Sequence, residues 1–312
     1  MTAPPLSPAR PHIREDNTPL GIVMMLGSVL LFSIMNVLVK SLTEAYPVAE
    51  VTFFRNAFAL IPVAAAITLQ GGWRHSLRTA HPWGHVWRAV IGLTSMSLMF
   101  WSFQLMPLGE AVALSFTTPL FLTALSVPLL GEKVGKHRWS AVLVGFAGVL
   151  VILRPSGATL LAPGALVGLS AAFGVALAMI AIRQLSRTEP PNTIVFYFTA
   201  ITTLLAALPQ PFVWVTPTPS ALAMLVATGL LGGAAQLLLT RAYSLAPAAV
   251  VAPFNYGTLL FAILFGWLLW SEVPRLSMVV GASVVALSGL YILHRETRRR
   301  TAPSAPPPPG GD

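Results

Sequence analysis

Apolar stretches alternate along the chain with short segments that carry its charges, prolines and glycines. The stretches lie near 20–40, 48–69, 85–106, 111–130 and 138–153, and again near 163–183, 192–214, 220–242, 247–270 and 275–293. Most hold close to the roughly 20 residues that a helix needs to cross a hydrocarbon core of about 30 Å. The pattern predicts an all-α integral membrane protein of ten transmembrane helices. Residues 1–19 and 295–312 are polar or proline-rich and read as disordered cytoplasmic tails. Leu20 to Val39 is too long for the apolar core of a signal peptide and reads as an uncleaved first span.

Composition sharpens this picture. Of 312 residues, 55% are hydrophobic and 9% are charged, against about 25% charged in a soluble domain. A water-solvated surface of this size would need far more charge, so lipid is the solvent. The formal net charge of +9 does not point to nucleic acid, because the basic residues sit between spans rather than along one face. The chain has no cysteine, which excludes disulfides, zinc–thiolate sites and cysteine nucleophiles.

The positions of Lys and Arg set the expected sidedness. With a cytoplasmic N-terminus, inner segments hold Arg10, Arg14, Arg74, Arg78, Arg88, Lys133, Lys136, Arg138, Arg183, Arg187, Arg241 and the arginines at 295 and 298–300. Outer segments hold only Lys40, Arg154 and Arg275. A missed or invented span in the middle would abolish the asymmetry. The expectation is a multi-pass protein of the cytoplasmic (inner) membrane with both termini inside.

The two halves echo each other. Gly92-Leu93 matches Gly229-Leu230, Leu108 matches Leu245, Leu120-Phe121 matches Leu260-Phe261, and Glu132 matches Glu272. Lys40, Pro47 and Phe53 pair with Arg183, Pro190 and Phe196. Residues 20–155 and 163–294 therefore read as two five-helix repeats. Five is odd, so the second repeat enters the membrane inverted. Inverted repeats are a physical route to two interconvertible faces around a central site.

The strings AEVTFFRN (49–56), PLGEAVALSFTTPLF (107–121) followed by GEKVG (131–135), and QLLLTRAYSLAPAAVVAPFNYGTLLFAILFGWLLWSEVP (236–274) carry a family resemblance. On them the chain resembles the drug/metabolite transporter superfamily, in particular its EamA-type members, over about residues 20–294. The resemblance implies a ten-helix bundle whose cavity is lined mainly by the first four helices of each repeat, with the fifth at the periphery. Phe53-Phe54-Arg55, with Arg88 opening the third span, is similar to bacterial importers of S-adenosylmethionine and of riboflavin. Fold likeness does not fix a ligand.

The residues themselves nominate a site. Arg55 falls inside a span, where a charge costs about 2.5–3.5 kcal/mol or more and turns toward the bundle interior or water. Snorkelling outward toward Glu50 is the competing reading. Asn36 shares a helical face with Ser33 and Lys40 and lines either a cavity or a helix contact. Thr117-Thr118-Pro119 and Pro253-Phe254-Asn255-Tyr256-Gly257 interrupt helices, and backbone freed that way needs protein or cavity water. Gln236 and Trp101 complete the substrate-binding or gating set: Asn36, Arg55, Trp101, Thr117, Thr118, Gln236, Asn255 and Tyr256. Arg241 reads as a cytoplasmic anchor, and Glu50 and Glu110 as interfacial carboxylates.

Motifs for catalysis are missing: the chain has no HExxH, no GxSxG and no GxxxxGK[ST] phosphate loop. No cofactor, metal or enzymatic role is expected. The expected partners are a small-molecule substrate and the lipid bilayer, without nucleic acid, and a homodimer is left open. The reading is a secondary transporter of a small organic metabolite working by alternating access, with import of a cofactor- or nucleoside-like compound favoured. Export of amino acids or drugs is the alternative, and a non-transporting subunit or sensor is the alternative of another class.

Overall fold

The computed structural model describes residues 17–69, 73, 78–131, 135–153, 162–186, 188–246 and 251–301. Among these, all regular structure is helical. The first half holds α1 (Thr18–Thr43), α2 (Val48–Leu69), α3 (Pro82–Leu105), α4 (Leu108–Ser115), α5 (Thr118–Leu130) and α6 (Lys136–Leu153). The second holds α7 (Pro163–Leu185), α8 (Pro191–Ala207), the single turn α9 (Gln210–Val213) and α10 (Pro219–Leu245). A 3₁₀ segment (Ala252–Tyr256), α11 (Gly257–Trp270) and α12 (Leu276–Thr301) follow.

Six helical segments are long and apolar enough to cross a membrane: Thr18–Thr43, Val48–Leu69, Pro82–Leu105, Leu108–Leu130, Pro163–Leu185 and Pro219–Tyr243. The remaining four predicted runs hold shorter apolar helices. Their brevity has local causes. α8 stops before Pro209, and α11 starts only after the 3₁₀ turn. Large apolar side chains stay exposed around the bundle, Leu143, Leu204 and Leu260 each by 68% or more. Water would not tolerate that surface, and lipid does.

The helix ends are written in the residues. Proline in the first turn of α1, α3, α7, α8 and α10 gives up an amide that has no helical partner anyway. Asn17 and Thr218 accept hydrogen bonds from the amides of Leu20 and Ala221, capping α1 and α10. At their other ends, α5 and α11 both close on a left-handed residue, Gly131 at φ 66° and Ser271 at φ 55°. Inside the spans, hydroxyls such as Ser33, Ser95 and Thr199 return to a carbonyl of their own helix, which satisfies them without water.

Five pairings build the bundle. α1 lies along α10, α3 along α7, α2 along both α10 and α8, and α6 along α12. Small residues allow the close approaches. A Cβ on Gly233 would run into the Pro62 ring, and one on Gly232 would sit 2.8 Å from the Met35 sulfur. These glycines let α10 close on α2 and α1, and that contact positions the site below. α6 and α12 meet backbone to backbone at Gly148 and Gly281.

At the end of the bundle that holds the α1–α2 turn, a polar network crosses between the halves. Lys40 pairs with Glu272 at 2.6 Å, donates to the Met106 carbonyl at 3.2 Å and sits 5.2 Å from the Trp270 ring centre. The second carboxylate oxygen of Glu272 accepts from the Leu108 amide, and the Trp270 indole donates to Glu44. Glu132, the expected counterpart of Glu272, lies outside the described residues, as do most residues of both tails.

Candidate functional site

Arg55 stands on α2 where that helix passes α10. Its Nη1 donates to Asn56 Oδ1 at 3.3 Å, and Asn56 is held by Thr202 Oγ1 at 3.1 Å and by the Thr52 carbonyl at 2.8 Å. Arg55 Nε is buried with no acceptor. Glu50 does not reach it. One Glu50 oxygen accepts from the Val215 amide at 3.0 Å instead, so the guanidinium turns inward rather than snorkelling out.

Arg88 approaches the same space from α3. Its guanidinium carbon lies 3.8 Å from the centre of the Phe198 ring, and its Nε and Nη1 are buried without acceptors. Together with Gln236 of α10 and Val195, Phe198 and Thr199 of α8, the two arginines line a cavity of about 60 Å³. The sequence reading had placed Arg88 among the cytoplasmic cations. The structure sets it about two turns inside a helix opened by Pro82, with its charge against an aromatic face. In the sequence its membership of the site is signalled by an arginine within an apolar run and by the family resemblance that sets it beside Phe53-Phe54-Arg55.

The remaining candidates distribute over other places. Trp101 is 45% exposed and lines a separate cavity of about 480 Å³ between α2 and α3, with Val48, Thr94, Ser97 and Gln104. Thr117 and Thr118 are buried, and their hydroxyls are satisfied by the carbonyls of Leu114 and Ala172. Asn255 is exposed, and its carbonyl accepts from Thr258. Tyr256 is half-buried with its ring centre 4.7 Å from that of Phe116. The two helix interruptions, one from each half, thus touch each other. Asn36 is half-buried beside Met35, the residue that meets Gly232. Ser33 bonds its own helix and Lys40 joins the ion pair, so the predicted polar stripe does not converge on the cavity. Of the eight nominated residues, Arg55 and Gln236 come together.

Among the described residues no group of His, Asp and Glu could hold a metal. The polar side chains lining this cavity, Arg55, Arg88, Gln236 and Thr199, are groups that can hold a solute by hydrogen bonding.

A bundle of apolar helices with a small chamber between them that holds two arginines is the form of a multi-pass membrane protein that handles a solute. Comparison with known proteins makes this specific. The model of the EamA-like transporter family matches residues 19–154 and again 162–294. The chain belongs to that family, within the drug/metabolite transporter superfamily, and is a small-molecule transporter.

A riboflavin transporter of Rhizobium johnstonii is 31% identical over 94% of this chain and 97% of its own. A pseudopaline exporter, CntI, of Pseudomonas aeruginosa is 33% identical over 86% and 94%. An S-adenosylmethionine uptake transporter of Rickettsia prowazekii is 30% identical over 89% and 94%. One solved crystal structure shares the fold at a TM-score of 0.62 and 20% identity, covering 92% of this chain and all of that one.

Proposed function

We propose that this chain is a secondary carrier of the cytoplasmic membrane that moves a small organic metabolite by alternating access. In this reading its ten spans form two inverted five-helix repeats, both termini are cytoplasmic, and import of a cofactor-like compound is the direction favoured.

The observation that carries the reading is a pair of matching clasps at opposite ends of the bundle. Tyr46 precedes Pro47, and its hydroxyl accepts from the amide of Thr218, the residue before Pro219 of α10. Glu189 precedes Pro190, the repeat partner of Pro47. Its carboxylate accepts from the amide of His81, the residue before Pro82 of α3. Each half thus reaches to the helix start of the other, once at each end. The pairings α1 with α10 and α7 with α3 follow the same exchange. A carrier built this way opens one end by releasing one clasp while its mate holds.

The binding chamber in this reading is the space of Arg55, Arg88 and Gln236. Trp101 lines the larger cavity beside it, Asn36 lies near the α1–α10 contact, and the breaks at Thr117-Thr118 and Asn255-Tyr256 serve as hinges. Export is the second reading, favoured by the pseudopaline exporter at 33% identity.

Solute flux in proteoliposomes tests the proposal, with labelled riboflavin, S-adenosylmethionine and amino acids loaded in turn inside and outside. Saturable movement weakened by Arg55→Ala supports both carrier and chamber, and the faster direction decides between import and export. Flux unchanged in Arg55→Ala keeps the carrier and removes Arg55 from its site.

A further inference from the structure

Two guanidinium groups share one small chamber without a counter-charge. Arg55 and Arg88 both line the cavity of about 60 Å³, and no carboxylate among the described residues lines it with them. The Lys40–Glu272 ion pair lies elsewhere in the bundle. Three guanidinium nitrogens, Nε of Arg55 and Nε and Nη1 of Arg88, are buried with no acceptor. Partial relief comes from the Phe198 ring under Arg88 and the Asn56 amide oxygen beside Arg55. Neither supplies negative charge.

Each feature is costly for the protein alone. A cation in a low-dielectric interior is stable only when paired and hydrogen-bonded. Like charges facing one space repel, and buried donors without acceptors lose their hydration with no return. A single kind of ligand answers all three. An oxyanion brings negative charge, and its oxygens match the forked donors of arginine. The Gln236 side chain adds an amide that can donate to the same group.

We propose that Arg55, Arg88 and Gln236 form a binding site for an oxyanion, the carboxylate or phosphate group of the transported molecule. The inference rests on the carrier reading and narrows it. A volume of about 60 Å³ is roughly twice the share of one water in the liquid. It admits a carboxylate or phosphate but not a whole metabolite, so the rest of the ligand enters as the bundle opens. S-adenosylmethionine, named for one relative, bears a carboxylate, whereas riboflavin, named for another, bears no anionic group at neutral pH. The site therefore favours the first.

The test is thermal stabilisation of the purified full-length protein in neutral detergent, titrated with inorganic phosphate, with acetate and with chloride at constant ionic strength. The expected result is a saturable rise in melting temperature with phosphate or acetate and none with chloride. Arg55→Gln and Arg88→Gln should each weaken the apparent affinity about tenfold or more, the effect of losing one charge-assisted hydrogen bond. Absence of a saturable rise in the wild type overturns the proposal without recourse to variants. A rise produced by phosphatidylglycerol but by neither small anion assigns the chamber to a lipid headgroup and overturns it too.

Flux separates this inference from the carrier reading. Saturable riboflavin flux indifferent to phosphate and to both substitutions keeps the carrier and removes the anion site. Anion-dependent stabilisation without flux of any anionic compound keeps the site and removes the carrier.

Discussion

Arg88 and Phe198 form a stacked pair across the α3–α8 contact, with 3.8 Å between guanidinium carbon and ring centre. Gly92 makes the room for it: a Cβ there would lie 2.7 Å from both Arg88 Nη1 and Phe198 Cε2. The ring supplies electrostatic relief worth about 0.5–2 kcal/mol to a buried cation. Phe198→Leu keeps an apolar side chain, somewhat smaller, and removes the quadrupole. It should weaken transport affinity several-fold, whereas Phe198→Tyr, which keeps the six-membered ring, should preserve it and Gly92→Ala should disturb it. Concentration-dependent flux on the three variants checks this. Wild-type affinity in Phe198→Leu would show that the ring is packing alone.

The Lys40–Glu272 pair makes a different prediction, about stability. The two side chains expose 8% and 19% of their surface, so removing one partner leaves a poorly hydrated charge behind. Lys40→Met should cost about 3 kcal/mol, typical of breaking a buried pair. Adding Glu272→Gln should recover at least about 1 kcal/mol, because the neutral amide can still accept from the Leu108 amide. Thermal unfolding of the two single variants and the double variant in detergent closes the cycle. Additive losses would mean that the pair contributes nothing through its charges.

What the chain disclosed in advance follows from how the information is stored. Span positions are compositional, so the ten runs and the lipid setting were legible. Breaks are local, so Thr117-Thr118-Pro119 and the 253–257 interruption predicted where helices bend. Arg55 was legible because an arginine inside a span has few places to go. Arg88 was less so, because a cation one or two turns from a helix start looks like an anchor until Phe198 is seen beneath it. The stripe of Ser33, Asn36 and Lys40 misled for a related reason. A shared helical face does not reveal that a hydroxyl will satisfy itself on Val29 or that the lysine will be claimed by a glutamate in the other half.

Ser271 stores a small strain at the end of α11. Its φ of 55° places a side-chain-bearing residue in the left-handed region, which costs about 1–2 kcal/mol. The conformation is held by amide bonds from Ser271 to the Trp267 carbonyl and from Glu272 to the Gly266 carbonyl, and it delivers Glu272 to Lys40. Gly131, its counterpart after α5, occupies the same region at no such cost. Ser271→Gly should therefore stabilise the protein by up to about 1 kcal/mol and leave the ion pair intact. The thermal midpoint checks it, and a drop would mean that the serine side chain holds a contact of greater worth than the strain it introduces.

Glu189 gives the clasp on α3 a pH dependence. It lies between α7 and α8 with 6% of its surface exposed. Burial raises its pKa, and this is the largest single influence. Hydrogen bonds from the Thr79 hydroxyl at 2.7 Å and from the Ala80 and His81 amides, with the nearby charge of His85, outweigh it and hold the carboxyl below its usual 4.5. A depressed carboxylate stabilises the fold fully above its unfolded value, and that contribution is lost as pH falls through the folded value. Glu189→Gln replaces the carboxylate with an amide that does not titrate. The stability difference between wild type and variant should shrink as pH falls below about 4.5. Tyr46 makes the matching clasp on α10 with a hydroxyl rather than a carboxylate, so Tyr46→Phe should shift stability by an amount independent of acid. Melting curves of the three proteins from neutral pH into acid read the effect directly. A wild-type-minus-Glu189→Gln difference that stays flat through acid would mean that the Glu189 clasp holds by shape and neutral hydrogen bonding, with no contribution from its charge.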